Sequence, residues 1–284
     1  MQQLSKFTAF LVCTLCTILY VGVLYIHPNS RPSATVSRND ATVIKYRVIA
    51  ITISTYVTAV FTTWILNEWR VSLNPLYLMV SLRMLPMPSL FEIFRSGLLI
   101  TAILFVGPLV EKLFLSGGIS ELNYGFRDIF RSWINIRNYI IGPFTEEIVF
   151  RSCIISIELR ARMSPTTVIF VAPLYFGIAH LHHAYESYIQ NPNYLKLVIL
   201  NSIFHFAFTT IFGWYASFLF LRTGSFWQPF VAHVFCNLMG VPKVGARLDG
   251  PAWYTRLYHG LLVFGLIAFA MLLGPLTKSS REIM

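Results

Sequence analysis

Long apolar runs constrain the fold of this chain more than any other feature of its sequence. Phe7–Ile26 contains no charged residue, and a helix of about 20 such residues is long enough to cross the hydrocarbon core of a bilayer. Because no water is present there to bond with the backbone, a spanning segment of this kind folds as a helix. Charged residues make up only 12% of the chain, against roughly 25% in soluble domains. The sequence therefore predicts an all-α, polytopic membrane protein.

About eight membrane helices are expected, in a single domain that covers residues 1–284 and encloses a polar cavity. The predicted helices are Phe7–Ile26, Tyr46–Leu66, Leu98–Leu115, Pro143–Arg160, Pro165–His183, Val198–Leu221, Ser225–Met239 and Tyr258–Leu276. Phe126–Ile141 alternates apolar and basic residues, which indicates either an amphipathic helix at the interface or the start of a span. Gly142 and Pro143 are then expected to break the pattern, so that a new helix begins with Pro143 in its first turn.

The basic charge of the chain is interpreted as a membrane property. The formal net charge is +10, and the 22 lysines and arginines are scattered over loops and helix ends. This distribution favours contact with anionic lipid headgroups and gives no indication of a nucleic-acid partner. Cys13 and Cys16 form a C-x-x-C inside an apolar run without a second pair. They are therefore interpreted as small apolar helix residues and not as a redox or zinc site.

The segment Gly142–Arg151, GPFTEEIVFR, places three charges inside an otherwise apolar stretch. One charge at bilayer depth costs about 2.5–3.5 kcal/mol on insertion scales, which makes the cluster a candidate functional site. Glu147 and Arg151 have the i, i+4 spacing of an ion pair on one helix face. Glu146 points about 100° away from its neighbour. Glu147 is therefore expected to neutralise Arg151 and leave Glu146 for chemistry, with one shared packing network as the structural alternative.

Two further pairs of residues place polar groups on apolar helices. Phe176 and His180 lie one turn apart near the end of a predicted span. His233 and Asn237 are spaced i, i+4 on a short helix, where both side chains can donate a hydrogen bond to an oxyanion. Hydrogen bonding between helices is the alternative explanation for the second pair.

Three other histidines have no assigned role. His182 and His183 follow His180 closely and are expected at the level of the lipid headgroups, although three histidines in four positions are also compatible with a metal site. His205 lies between two phenylalanines in a long apolar span. A lining or packing role is expected for it.

The polar residues together indicate a hydrolytic site. The chain has neither the G-x-S-x-G of serine hydrolases nor the H-E-x-x-H of zinc proteases. Burial raises the pKa of a carboxyl group towards the range of a general base. Glu146 with His180 is therefore expected to activate a water, while His233 and Asn237 stabilise the oxyanion, with no cofactor.

Two alternatives to this interpretation stay open. In the first, Glu146, His180 and His233 bind a catalytic zinc ion, because their residue types suit that metal. In the second, the protein is a scaffold, a transporter or a lipid-binding protein that uses the polar cavity only for recognition.

The order of these motifs resembles a known family. E-E-x-x-x-R at Glu146–Arg151, F-x-x-x-H at Phe176–His180 and H-x-x-x-N at His233–Asn237 are similar to the motifs of the intramembrane glutamate proteases. Within that family, Pro173–His183 and Phe218–Pro242 resemble the core of the CAAX prenyl proteases of the Ras-converting type. The resemblance covers about residues 139–242, which would form the catalytic core.

The resemblance implies a metal-independent enzyme of the endoplasmic reticulum membrane. It would remove the last three residues from farnesylated or geranylgeranylated CaaX proteins, such as small GTPases. It also implies that Glu146 and His180 act on the attacking water and that His233 and Asn237 bind the oxyanion. Glu147, Arg151 and Phe176 would support them.

Overall fold

The computed structural model of this protein describes residues 4–67, 70–114 and 129–284, and these residues form helices without any β-strand. The all-α prediction is therefore confirmed. In chain order the helices are α1 Lys6–Gly22, α2 Ala41–Leu66, α3 Pro75–Ser81, α4 Leu90–Leu104, α5 Val106–Phe114, α6 residues 133–160, α7 Pro165–Ala179, α8 His182–Gln190, α9 Leu195–Thr223, α10 Trp227–Met239 and α11 Ala252–Thr277.

Several of these helices are long and apolar enough to cross a membrane, so the protein is a multi-pass membrane protein. By length and composition, the described residues contain five such helices, or up to six if the bent pair α4 and α5 forms one span. The expected count of about eight is not confirmed. Two of the expected helices differ from an ordinary span. Helix α10 has only 13 residues, and α6 contains the charged residues Glu146, Glu147 and Arg151.

Helix starts are set by capping residues that a search for apolar runs does not detect. Helix α2 begins at Ala41, whereas the apolar pattern predicted a start at Tyr46. The side chain of Asp40 accepts hydrogen bonds from the backbone N–H groups of Thr42 and Val43. Such an N-cap satisfies backbone donors that would otherwise lack a partner at a helix start. The helix thus extends beyond its apolar part by about one turn.

The predicted span Leu98–Leu115 is replaced by the bent pair of α4 and α5. The first helix already begins at Leu90, and the two helix axes differ by 78°. Pro108 explains the position of the bend, because a proline ring clashes with the carbonyl group four residues earlier, which here belongs to Leu104. Leu115, the last residue of the predicted span, lies outside the described residues.

Helix α6 runs without interruption from residue 133 to residue 160, so the predicted break at Gly142 and Pro143 is wrong. Two π-helical stretches, Arg137–Ile141 and Glu147–Ile155, lie within it. The N–H of Gly142 donates to the carbonyl oxygen of Arg137, five residues earlier. In such a π-helical turn each N–H bonds to the carbonyl group five residues earlier instead of four. The wider turn accommodates Pro143, which has no N–H to donate, without ending the helix. A Cβ atom on Gly142 would lie only 2.8 Å from the Arg137 oxygen.

The same continuity bears on the segment Phe126–Ile141. Residues 133–141 form the beginning of α6, which is not among the candidate spans, so the choice between an interfacial helix and the start of a span stays open; residues 126–128 lie outside the described residues. Arg137 is consequently on the same helix as the two glutamates. This link between a basic residue and the charged cluster was not evident from the sequence pattern.

Helix α6 forms the centre of the bundle. Every residue of Glu147–Ile155 is buried, and Val149, Phe150 and Ile154 belong to a core cluster shared with α1 and α7. Cys13 and Cys16 lie in this cluster as buried, free cysteines. The bundle therefore surrounds the most charged of its helices with apolar side chains.

Helices α7 and α9 approach each other at two glycines. A Cβ atom on Gly213 would lie 2.6 Å from the Cβ of Pro173, and one on Gly177 would lie 2.4 Å from the Oγ1 of Thr210. Small residues commonly allow such close packing between membrane helices. This approach brings the His180 end of α7 close to His205 on α9, with ring centroids 5.2 Å apart.

We expect Gly213→Ala to destabilise the protein by separating α7 from α9. Adding a methyl group to a tightly packed contact costs about 1–3 kcal/mol, which should appear as a lower midpoint of thermal unfolding in detergent. Gly260→Ala is the matched control, because nothing lies within 4 Å of the Cβ position there. Equal unfolding midpoints for the two variants would contradict the close packing of α7 and α9.

Candidate active site

A cavity of about 390 Å³ brings the predicted site residues together. Glu146 from α6, His233 and Asn237 from α10, and Phe176 and His180 from the end of α7 all line it. Four residues that were proposed as catalytic from their spacing thus face one space. Glu147 and Arg151 lie behind the cavity wall, with 0% and 1% of their side-chain surface exposed.

Glu147 and Arg151 form the ion pair that their spacing predicted. Nη1 of Arg151 lies 3.1 Å from Oε1 of Glu147. The guanidinium also lies against two aromatic rings, with its Cζ 4.5 Å from the ring centre of Phe176 and 5.5 Å from that of Phe212. Such cation–π contacts strengthen when water is excluded. Phe176 therefore supports the buried arginine while it also lines the cavity.

His233 connects the two glutamates. Its Nδ1 lies 2.7 Å from Oε1 of Glu147, and its Nε2 lies 3.5 Å from Oε2 of Glu146. A bond from Nδ1–H to the Glu147 carboxylate fixes the orientation of the ring and directs Nε2 towards the cavity. Glu147 thus holds both Arg151 and His233, which the sequence did not indicate.

The two adjacent glutamates have different surroundings. The side chain of Glu146 is 20% exposed, while that of Glu147 is fully buried. Glu146 can therefore meet a water or a substrate in the cavity, and Glu147 cannot. This difference agrees with the expected division between a working carboxylate and a supporting one.

His180 shares the cavity with Glu146 but forms no direct hydrogen bond with it among the described residues. Its Nδ1 lies 2.7 Å from the carbonyl oxygen of Phe176, which fixes the ring from its own helix. Nε2 then has no hydrogen-bond partner within the described part of the chain. Glu146 therefore has His233 as its direct neighbour. Glu146 and His180 can act together only through a water or a substrate that lies between their side chains.

Asn237 is held by the helix that carries the glutamates. Its Nδ2 donates to the backbone carbonyl oxygen of Asn138 at 2.9 Å. A carboxamide has two N–H groups, so one is left for a ligand in the cavity. The contact also ties α10 to the first part of α6.

The three histidines without an assigned role line the same cavity. His182 is held through Nδ1, 2.6 Å from the carbonyl oxygen of Ala179. His183 lies 3.0 Å from the Glu186 carboxylate, and His205 lies beside His180. Sequence reasoning could not assign them to the site, because their spacing matches no recognised motif and the contacts of His205 with His180 and His183 join two different helices.

The geometry of the ligand atoms bears on the zinc alternative. In the part of the chain that the structure describes, Glu146, His180 and His233 do not bring three ligand atoms within 4.8 Å of one another. The set His182, His183 and Glu186 does so. However, Nη2 of Arg47 lies 2.5 Å from the Glu186 carboxylate, and a guanidinium at that position opposes the binding of a cation.

Comparison with known proteins agrees with this geometry. A family model described as type II CAAX prenyl endopeptidase Rce1-like matches residues 128–239. A probable CAAX prenyl protease 2 of Schizosaccharomyces pombe is 36% identical over 265 residues, which cover 93% of this chain and 92% of the relative. The chain belongs to the CAAX prenyl protease 2 family.

Two other members of the CAAX prenyl protease 2 family show the same extent of similarity. The Arabidopsis thaliana protein is 34% identical over 98% of this chain and 92% of its own length. The Homo sapiens protein is 34% identical over 93% of this chain and 80% of its own length. No solved structure gives a significant match. As a CAAX prenyl protease 2 family member, the protein is a membrane-embedded hydrolase.

We expect Arg151→Met to destabilise this CAAX prenyl protease 2 family member strongly. The change leaves the fully buried Glu147 carboxylate without its arginine, and breaking a buried ion pair costs about 3–5 kcal/mol. Unfolding in detergent would measure the loss. The double variant Glu147→Gln, Arg151→Met should recover part of it.

Lys243→Met is the control for Arg151→Met, because it removes an ion pair that is exposed to solvent. The ammonium of Lys243 lies 2.7 Å from Glu111, but its side chain is 58% exposed. Exposed pairs contribute about 0–1 kcal/mol. An effect of Arg151→Met as small as that of Lys243→Met would show that the buried pair does not stabilise the bundle.

Proposed function

We propose that this protein cleaves prenylated CaaX proteins after the lipidated cysteine and releases the aaX tripeptide. The observation that carries the proposal is the position of Glu146 beside His233 in the cavity, in a chain of the CAAX prenyl protease 2 family. The substrates would be farnesylated or geranylgeranylated proteins such as small GTPases. The enzyme would act in the endoplasmic reticulum membrane as one domain of residues 1–284, with its catalytic core at about residues 139–242.

In this mechanism Glu146 is the general base. It accepts a proton from a water whose oxygen attacks the carbonyl carbon of the prenylated cysteine. The carbonyl oxygen becomes an oxyanion, and the tetrahedral intermediate then loses the amide nitrogen. That nitrogen takes up a proton, returned by Glu146, as the C–N bond breaks and the tripeptide leaves. His180, whose Nε2 has no hydrogen-bond partner among the described residues, orients the same water.

His233 and Asn237 bind the oxyanion in the proposed mechanism. Because Nδ1–H of His233 is directed to Glu147, Nε2 can donate only when the ring carries both protons. The hydrogen bond to the buried Glu147 carboxylate holds the ring in the orientation that directs Nε2 towards the oxyanion. Glu147 is therefore a positioning residue, and Asn237 supplies the second N–H.

The proposal is favoured over the zinc alternative by the separation of the candidate ligand atoms. It is favoured over a purely binding role by the different environments of the two glutamates, since recognition alone needs no exposed carboxylate beside a histidine held by a second, buried one. Each alternative predicts a distinct experimental result.

We expect Glu146→Gln to abolish the release of the tripeptide from a farnesylated CaaX peptide, because a carboxamide cannot accept the proton of the water. Mass spectrometry of the peptide after incubation with the pure protein would measure the product. Asp249→Asn is the matched control, since Asp249 is exposed and does not line the cavity. Full activity of Glu146→Gln would exclude Glu146 as the base. Binding without cleavage by the natural sequence would favour the non-catalytic alternative.

Excess chelator is expected to leave the rate of cleavage unchanged, because the proposed steps use only side chains and water. The measurement is the same peptide assay after prolonged incubation with a chelator. A loss of activity that added zinc restores would support the alternative in which Glu146, His180 and His233 bind the metal.

A further inference from the structure

Three arginines line the cavity in addition to the residues used for hydrolysis. They are Arg38, from the loop before α2, Arg47 on α2 and Arg137 on α6. The proposed chemistry needs none of them, and placing guanidinium groups beside an intramembrane cavity is costly without an anionic partner. Their partners therefore indicate what this part of the cavity binds.

Glu186 accounts for only part of this positive charge. Arg47 Nη2 lies 2.5 Å from its carboxylate, in a pair that is almost fully buried. Arg38 Nη1 lies farther away, at 3.5 Å, and the side chain of Arg38 is 35% exposed. One carboxylate thus faces two arginines, of which Arg47 makes the shorter contact.

Arg137 has hydrogen-bond partners but no acidic one within the described residues. Its Nε donates to the side-chain oxygen of Asn138, its Nη1 to the carbonyl oxygen of Arg38, and its Nη2 to the side-chain oxygen of Asn39. These neutral acceptors hold the guanidinium in place against the cavity and next to Arg38. They do not neutralise its charge, so an anion in the cavity would find a preorganised partner there.

The distance from Arg137 to the proposed site of cleavage fits one part of the substrate. Glu146 lies nine residues after Arg137 on one continuous helix, which corresponds to at most about 13 Å along the helix axis at the α-helical rise of 1.5 Å per residue, since part of this stretch is π-helical. An extended tripeptide spans about 10–11 Å. When the carbonyl group of the prenylated cysteine lies at Glu146, the free carboxylate of the leaving tripeptide can therefore reach the guanidinium of Arg137.

We infer that Arg137 and Arg38 bind the C-terminal carboxylate of the CaaX substrate and thereby set which peptide bond meets Glu146. The inference rests on the proposed function and extends it to the choice of bond. A planar guanidinium suits a carboxylate because it donates two hydrogen bonds in parallel. The site would thus place at Glu146 the peptide bond that lies three residues before a free C-terminus. A cysteine in the interior of a chain would have no C-terminal carboxylate at that distance for the arginines to bind.

The test compares two farnesylated CaaX peptides that differ only at the last group, one with a free carboxylate and one with a carboxamide. The amide keeps the shape of the chain end but removes its charge. We expect the protein to cleave the carboxylate peptide with a kcat/KM about tenfold higher or more, the size expected for a hydrogen bond between charged groups. This comparison uses the natural sequence and does not depend on the folding of any variant.

Variants then assign the preference to the arginines. In Arg137→Gln and Arg38→Gln the ratio between the two peptides should fall towards one, because the charged partner of the carboxylate is lost. Arg256→Gln is the matched control, since Arg256 is exposed on α11 and does not line the cavity. It should keep the ratio of the natural sequence. A purely structural role of Arg137 would instead lower both rates and leave the ratio unchanged.

The outcomes separate this inference from the proposed function. Equal cleavage of both peptides by the natural sequence would overturn the carboxylate site and leave the protease activity established. An unchanged ratio in both arginine variants would overturn the assignment to Arg137 and Arg38. Cleavage of neither peptide would overturn the proposed function, and the inference with it.

Discussion

The buried ion pair between Glu147 and Arg151 is the interaction on which the rest of the site depends. An arginine with 1% of its side chain exposed cannot stay in an apolar bundle unless its charge is compensated. Oε1 of Glu147 lies close to both Arg151 and His233. The same carboxylate therefore compensates the charge of Arg151 on α6 and orients the ring of His233 on α10. The relative position of α6 and α10 is therefore fixed where the proposed chemistry takes place.

This arrangement gives two neighbouring glutamates separate tasks. A helix directs adjacent side chains to different faces, and at this point one face meets the core while the other meets the cavity. The continuity of α6 matters equally, because its π-helical turns carry the chain past Pro143 without a break. As a result, one rigid element holds Arg137 near one part of the cavity and Glu146 at the proposed site of cleavage.

The parts of the fold that the sequence predicted well are those governed by apolarity within one segment. The spans at α7, α9 and α11 were found in the right place, because about 20 apolar residues have few alternatives to a membrane helix; the ends of α9 lie within three residues of the prediction, whereas α11 begins six residues earlier than predicted. Helix starts such as Ala41 were misplaced because Asp40, a polar capping residue, determines them. The bend between α4 and α5 and the unbroken α6 depend on how a proline is accommodated by its surroundings, which composition does not reveal.

For the candidate site, the sequence by itself determined the residue types and the pairs within a single helix. The i, i+4 spacing was sufficient for Glu147 with Arg151, because local helix geometry alone places those side chains together. Only the tertiary structure decided that His233 lies between the two glutamates, that Asn237 is bonded to Asn138, and that Arg137 faces the same cavity. These contacts join different helices, and spacing along one helix contains no information on how that helix is rotated against its neighbours.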